Sequence, residues 1–343
     1  MRNFRELLDL DYDFFLVLII SILTFVFSTL IRSLIDIILA PFFKHRPVEI
    51  GVLGFRWSRH SDGKWSYYGY RASLGFSAYM AIKLDKFGTL PNKTIRALDT
   101  GMALSSSLAD FIIGAGFLVL GVNGATNIGS DLLAAISMIF GISYFVCATV
   151  RLVISLRFII KANSKHSLAG YHQGTLAMIR SGVPMDMMDL KSAAELGFSN
   201  ASKTEKLMYF TVYFSYLDAS GQYDKMAAAV GEVEQLLSPN GTNKIELVVF
   251  ALLVYYYSYI YIDPTRAKDY YHRGGEPLSK DRDANALRIR GFYELNCFGD
   301  VNRAREYADS ALKAVEHFSM GSEREYERQC IARLYDAINN FRG

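Results

Sequence analysis

The chain has 343 residues, of which 51% are hydrophobic and only 21% are charged. This composition excludes an intrinsically disordered chain and is too apolar for a typical soluble enzyme. The net charge of +3 gives no support to nucleic-acid binding, and the three widely spaced cysteines exclude a disulfide framework and a thiolate zinc site.

Three apolar stretches are each long enough to cross a bilayer, which takes roughly 20 residues. They cover about residues 14–43, 102–122 and 132–153. The first is not a cleavable signal peptide, because acidic residues precede it and no small-residue cleavage site follows. The sequence therefore predicts a membrane domain over residues 1–164.

Charges in the connecting loops predict the orientation of these spans. The loop 44–100 carries ten Lys or Arg residues, whereas the loop 123–130 carries none, and further basic residues follow the third span. By the positive-inside rule, the loop 44–100 and the C-terminal half lie in the cytoplasm and the N-terminus lies outside. We expect a three-span protein of the cell membrane.

The loop 44–100 also contains alternating apolar and polar residues on both sides of a Ser-Asp-Gly turn at 61–63. Alternation around a compact turn is typical of β-strands. The sequence predicts a small β-hairpin region with one strand over residues 48–55 and another from residue 65.

From residue 165 the pattern is helical, with Gly or Pro interruptions, which predicts an all-α domain over residues 165–343. Three segments open helices with small residues, and their alanines Ala227, Ala267 and Ala304 lie 40 and 37 positions apart. This spacing fits tetratricopeptide-type repeats, and an irregular helical bundle fits nearly as well. The uncharged, tyrosine-rich run 247–262 is either a buried helix of this domain or a fourth membrane segment.

Three segments of the chain occur in the same order as three sequence motifs of a known family. Residues 30–55 read LIRSLIDIILAPFFKHRPVEIGVLGF, residues 106–110 read SSLAD, and residues 168–171 read LAGY. They resemble the site-2 protease family of intramembrane zinc proteases, in which the first motif carries a His-Glu-x-x-His core. The second motif there reads Gly-Pro-Leu-Ala-Asn, and the third contains the Asp of Ser-Asp-Gly as a zinc ligand.

The resemblance places substitutions at the catalytic positions. Arg32, Ser33 and Asp36 stand where the family has its two histidines and its glutamate, and Ala169 with Gly170 stand at the third ligand motif. Arginine cannot lose its proton to bind a metal, serine cannot act as the base, and alanine offers no ligand. The family match implies a member with no catalytic residues, no zinc and no other cofactor.

The remaining charges at these positions allow two interpretations. In the first interpretation, Arg32 and Asp36, at i and i+4, share one helix face and can pair. Asp110, which follows Ser107 in the second motif, can join this pair if the helices pack as in the family. The result would be a buried ion pair or triad at the former metal site. Alternatively, Arg32 extends to the membrane surface and Asp110 lies near the other surface.

The family also has a small sheet after its first span, beside the active-site entrance, where an unwound substrate can add as a strand. Strand addition needs only an exposed edge and so can survive the loss of catalysis. The candidate residues for such an edge are Val48, Ile50, Val52, Phe55, Trp65 and Tyr67. The alternative is a structural hairpin that lies on the membrane through arginine and aromatic anchors.

The fold class expected from the whole sequence is mainly α: a three-span, site-2-protease-like membrane domain followed by a cytoplasmic helical-repeat domain. The function expected is that of a catalytically inactive protease homologue that binds a membrane peptide, a partner span or a protein. The helical tail would bind a soluble partner, and no nucleic acid is involved. Two alternatives remain open: an active zinc peptidase with displaced ligands, and a membrane anchor or assembly factor that binds through its helical tail.

Overall fold

The computed structural model describes residues 14–59, 64–70, 75–82, 92–127, 131–163, 168–188, 190–238, 243–316 and 321–341. The chain forms two compact units, one of residues 1–85 and 90–163 and the other of residues 86–89 and 164–343. The described part of the first unit consists of long apolar helices and a sheet, and that of the second is helical.

Three long helices dominate the first unit: α1 (Phe14–Leu39, extended by a 3-10 turn at Ala40–Phe43), α2 (Asn92–Asn127) and α3 (Asp131–Asn163). Among the described residues these supply three segments that are long and apolar enough to cross a membrane: Phe15–Phe43, Ala97–Gly124 and Leu133–Arg157. Three helices of sufficient length and apolarity therefore lie where the sequence predicted spans. Large apolar side chains such as Ile112 and Ile160 are exposed on their surfaces, as expected of helices that face lipid.

Helices α2 and α3 approach each other closely where both carry glycine. A Cβ atom added to Gly121 would lie 2.6 Å from the Ser137 carbonyl oxygen, and one added to Gly141 would lie 2.6 Å from that of Phe117. Small residues at a helix crossing allow backbone contact, which compensates for the absence of a hydrophobic driving force between helices in lipid.

The sheet of the first unit is antiparallel and contains β1 (His45–Val52), β2 (Phe55–Arg59), β3 (Trp65–Tyr70) and β4 (Phe76–Ile82) in the order β3-β2-β1-β4. The predicted continuous strand 48–55 is interrupted by a turn at Leu53 and Gly54, both with positive φ, so the chain reverses between β1 and β2. The predicted turn at 61–63 lies outside the described residues. The strand β4 had not been predicted; it pairs with β1, and the Phe76 amide donates to the Thr29 hydroxyl of α1 at 2.9 Å.

The second unit is built from helices joined by short loops. In chain order its described helices are α4 (Leu168–Ser181), α5 (Lys203–Ala219), α6 (Tyr223–Glu234), α7 (Lys244–Tyr255), α8 (Pro264–Lys280), α9 (Ala284–Phe298), α10 (Val301–Val315) and α11 (Gly321–Asn339), with a 3-10 turn at Met185–Met187. Sequential helices pack in pairs, and α7 also packs between α5 and α9. Connections of a few residues make such neighbours antiparallel.

The predicted small-residue positions are correct in two of these helices and wrong in the third. Ala267 and Ala304, each the fourth residue of its helix, are fully buried. In α6 the fourth residue is Met226, which is fully buried, whereas Ala227 is exposed. The sequence match had placed the alanine one position late, because α6 begins at Tyr223.

The tyrosine-rich run 247–262 belongs to the second unit. It forms most of α7 and a following π-helical turn, Tyr256–Ile260, and its side chains from Leu252 to Ser258 are buried. Its contacts are with α5, α8 and α9, so the run is a buried helix of the helical unit.

Candidate functional site

Polar side chains from α1 and α2 meet inside the first unit. On α1, the Arg32 Nε and Asp36 Oδ2 atoms lie 3.4 Å apart, one helical turn from each other. From α2, the Ser106 hydroxyl donates to Asp36, and the Ser107 hydroxyl accepts from Arg32 Nη1 at 3.1 Å. The two motif segments recognised in the sequence, around residues 32–36 and 106–110, are therefore in direct contact.

A second ion pair joins α2 to α3. Asp110 is completely buried and accepts hydrogen bonds from Arg151 Nε at 2.8 Å and from the Tyr144 hydroxyl at 3.1 Å. Arg151 Nη1 in turn donates to the Ser28 hydroxyl of α1 at 3.1 Å. Asp110 thus pairs with Arg151, and the predicted triad with Arg32 is replaced by two separate Arg–Asp pairs.

Arg151 lies near the end of the predicted third span, about 132–153, but sequence reasoning did not identify it as the partner of Asp110, because it follows an uncharged run and was counted only among the basic residues that set the orientation. The helix α3 continues to Asn163, and the apolar segment extends to Arg157, so Arg151 lies within the spanning segment. A charge inside a bilayer costs about 2.5–3.5 kcal/mol on insertion scales, which an adjacent opposite charge partly offsets. An unpaired acid such as Asp110 is the signal that could have prompted a search for this arginine.

The residues present do not fit a zinc ion. The Arg32 guanidinium carries a fixed positive charge beside Asp36, and Ser33 donates its hydroxyl to the Thr29 carbonyl oxygen at 2.9 Å. In the described part of the chain, no three His, Cys, Asp or Glu side chains cluster closely enough to hold a metal. Ala169 and Gly170 lie in α4, which belongs to the second unit.

The predicted peptide-binding edge is wrong for most of its residues. Strand β1 is paired on both sides, with β2 and with β4, and β2 is paired with β1 and β3. A strand with a neighbour on each side presents no edge to a further strand, which removes four of the six candidates: Val48, Ile50, Val52 and Phe55. Val48 itself lies at the irregularity between Pro47 and Glu49 and has no partner in either register. The other two, Trp65 and Tyr67, lie on β3, which is one of the two outer strands of the described sheet, with 40% and 51% of their surface exposed.

A further buried polar cluster lies in the second unit and ties α11 to α5, α7 and α9. Asp218 of α5 accepts from Tyr326 at 2.7 Å and from Arg333 at 2.8 Å, both on α11. Arg288 of α9 makes a two-pronged ion pair with Glu327 of α11, at 2.7 and 3.1 Å. These bonds fix the last helix of the array, and sequence reasoning did not identify them.

The same cluster contains a cysteine and a tyrosine that burial keeps neutral. Burial raises the pKa of the Cys330 thiol to about 12 and that of the Tyr255 hydroxyl well above its usual value. The phenol therefore remains a hydrogen-bond donor, and it points to Asp218 at 3.2 Å. Because a thiol reacts through its thiolate, this environment favours a structural role for Cys330.

Comparison of the chain with known protein families, with characterised proteins and with solved structures finds no match.

Proposed function

We propose that the protein is a catalytically inactive, site-2-protease-like membrane protein that binds a peptide or protein segment at the edge of its sheet. The observation that supports this best is the pair of Arg–Asp contacts inside the three-helix unit. Arg32 and Asp36 occupy the two positions that carry zinc-binding histidines in the family that the chain resembles, and each arginine holds a carboxylate at 3.4 Å or less.

Those contacts favour a scaffold over a metal-dependent catalyst. A carboxylate that already accepts hydrogen bonds from a guanidinium and a hydroxyl has few lone pairs left for a cation. A nearby guanidinium also repels a divalent ion by direct Coulomb interaction. The proposal therefore includes no zinc and no catalytic residue.

The binding surface is the outer edge of β3. Trp65 and Tyr67, at i and i+2, share one face of this strand, and Tyr70 at its end is 63% exposed. A strand added to β3 would gain main-chain hydrogen bonds along the edge and aromatic contacts on that face. This chemistry suits an extended peptide with β-branched or aromatic side chains.

The loop charges supply the cellular arrangement in this proposal. The N-terminus lies outside, and the sheet and the helical unit lie on the cytoplasmic side of the cell membrane. The helical unit, with its paired packing of α5 to α10, acts as a tetratricopeptide-like array that binds a soluble partner.

The test is site-specific photo-crosslinking of the full chain in lipid vesicles. Benzoylphenylalanine replaces Tyr67 on β3 or, as a control, Tyr261 in the second unit, which is the more exposed of the two at 64% against 51%. The probe is a synthetic single-span peptide with a Val/Thr-rich extended segment at its cytoplasmic end. We expect a one-to-one adduct from position 67 and none from position 261.

Two results would overturn the proposal. Equal adducts from both positions, or none from position 67, would leave no peptide edge and favour the alternative of an anchor that works through its helical tail. Zinc at about one ion per chain in the purified protein would favour the peptidase with displaced ligands.

A further inference from the structure

A cavity of about 380 Å³ lies within the second unit, among side chains of α4, α5, α7, α9 and α11. Half of its wall is aliphatic or methionine, including Leu176, Val212 and Leu252. This volume is in the range of ligand-binding pockets, which combine an apolar wall with a few polar groups.

The charged groups of the wall are all acidic. Asp283, Glu323 and Glu327 line the cavity, and its wall contains no Lys or Arg. Glu327 is neutralised by its two bonds to Arg288, and Asp283 uses one oxygen to cap α9. Glu323 makes no hydrogen bond or ion pair with the residues that the structure describes. The Arg180 charge lowers the pKa of this carboxyl, but by less than burial and the Glu327 carboxylate raise it.

Two further groups of the wall have buried atoms without a partner in the described structure: Asn285 Oδ1 and His172 Nδ1. Burial lowers the pKa of His172 to about 4, so this imidazole is neutral at physiological pH. An amide oxygen, a neutral imidazole and a carboxylate can all accept hydrogen bonds, and leaving such acceptors buried and unpaired costs about 1–3 kcal/mol each. The wall is therefore suited to an occupant that donates hydrogen bonds.

The cavity does not end at this wall. A second cavity of about 260 Å³ shares Val248, Asp283 and Asn285 with the first and lies along α7 towards Leu278 of α8. Its own wall adds one basic and one acidic side chain, Lys244 and Asp281, so the purely acidic lining belongs to the first cavity. Because both cavities border these three side chains, we treat them as two ends of one elongated site.

We propose that these joined cavities bind a peptide segment in which an ammonium group is flanked by apolar side chains. The ammonium lies between Glu323 and Asn285, and the apolar side chains lie against Leu176, Val212 and Val248. A lysine side chain and a free N-terminus share this chemistry. The site lies in the second unit and is independent of the β3 edge.

The test measures fluorescence polarisation with the full chain in lipid nanodiscs and three labelled peptides. The first is acetyl-Leu-Phe-Lys-Leu-Phe, the second has norleucine in place of lysine, and the third is the norleucine peptide with a free N-terminus. We expect the lysine peptide to bind at least about tenfold more tightly than the acetylated norleucine peptide, since one charged hydrogen bond is lost. Tighter binding of the third peptide than of the first would identify the N-terminus as the source of the ammonium.

Variants locate the site. Glu323→Gln should weaken binding of the lysine peptide about tenfold and leave the acetylated norleucine peptide unaffected, whereas Val248→Trp, at the junction of the cavities, should weaken both. The matched control is Glu325→Gln, which removes an exposed carboxylate two residues further along α11. If Glu323→Gln does not fold, Asn285→Leu tests the same end of the cavity.

The inference is overturned if the lysine and acetylated norleucine peptides bind equally and a free N-terminus adds nothing. It is also overturned if Glu323→Gln and Val248→Trp, folded by circular dichroism, bind as the unaltered protein does. None of these variants touches β3, so crosslinking from Tyr67 succeeds or fails independently.

Discussion

Replacing Asp110 with alanine should destabilise the first unit more than any other single change in its polar network. The substitution leaves the Arg151 guanidinium inside the helix bundle without its carboxylate at 2.8 Å and removes the acceptor of the Tyr144 hydroxyl. Removing one partner of a buried ion pair costs about 3–5 kcal/mol. Arg151 retains 23% exposure of its side chain, which places the expected loss at about 3 kcal/mol.

Two variants with smaller expected losses of stability serve as a comparison for Asp110→Ala. Asp36→Ala breaks a longer contact, 3.4 Å, between side chains that are each nearly one-fifth exposed, and also removes the acceptor of the Ser106 hydroxyl; it should cost about 1–2 kcal/mol. Tyr144→Phe removes a single hydrogen bond to Asp110 and should cost about 1 kcal/mol. The double variant Asp110→Ala, Arg151→Ala should lose less than the sum of its single changes, because no unpaired charge remains.

The assay uses the protein's own tryptophans. Both of them, Trp57 and Trp65, lie in the sheet of the first unit, so their emission during denaturation in detergent reports that unit alone. A change of less than about 0.5 kcal/mol for Asp110→Ala, within the usual effect of surface substitutions, would refute the pairing. Strict additivity in the double variant would equally show that the two side chains do not interact.

Three further predictions concern packing, the second unit and pH. Gly141→Ala should cost about 1–3 kcal/mol by tryptophan emission, because its Cβ would lie 2.6 Å from a carbonyl oxygen of α2, whereas Gly116→Ala, with open space around it, should cost nothing. Glu327→Ala should lower the free energy of unfolding of the second unit, followed by circular dichroism, by about 3–5 kcal/mol, because it leaves the buried Arg288 unpaired. The control Arg328→Ala, at an exposed pair, should lower it by at most about 1 kcal/mol, and equal losses would contradict the buried pair. Burial, with the nearby Glu327 carboxylate, raises the pKa of Glu323 to about 7, so the second unit loses stability as pH rises from about 4.5 to 7. Glu323→Gln should therefore stabilise it by at most about 3 kcal/mol at pH 8 and leave it unchanged at pH 4, and the same gain at both pH values would exclude this origin.

The spans could be predicted from the sequence because length and apolarity are local properties. The ends of these helices could not be predicted as well. The helix α2 begins at Asn92 and α3 ends at Asn163, because a helix continues through polar residues as long as its backbone hydrogen bonds can form. The pairing of Arg151 was inaccessible for a different reason, because its partner Asp110 lies 41 positions away in the chain. Local patterns carry no information about such a pairing.

Strand pairing in the sheet could not be predicted from local patterns either. Alternation identified the strand residues, but the turn at Leu53 reverses the chain within what reads as one strand. The pairing of β4 with β1 is a long-range contact, and it converts the expected edge residues of β1 into interior ones. Only the part of the candidate edge on β3, represented by Trp65 and Tyr67, lies on an outer strand of the described sheet.

Glu323 differs from the other buried carboxylates of the chain in how its charge is compensated. Asp110, Asp218 and Glu327 each face an arginine at 2.7–2.8 Å, so each charge is compensated within the chain. Burial first, and the Glu327 carboxylate second, raise the pKa of Glu323, and the Arg180 charge offsets them only in part, so a neutral glutamine there would be more favourable for folding alone. The ammonium ligand proposed for this cavity would add a positive charge beside Glu323, and that charge would favour the ionised carboxylate and lower its pKa.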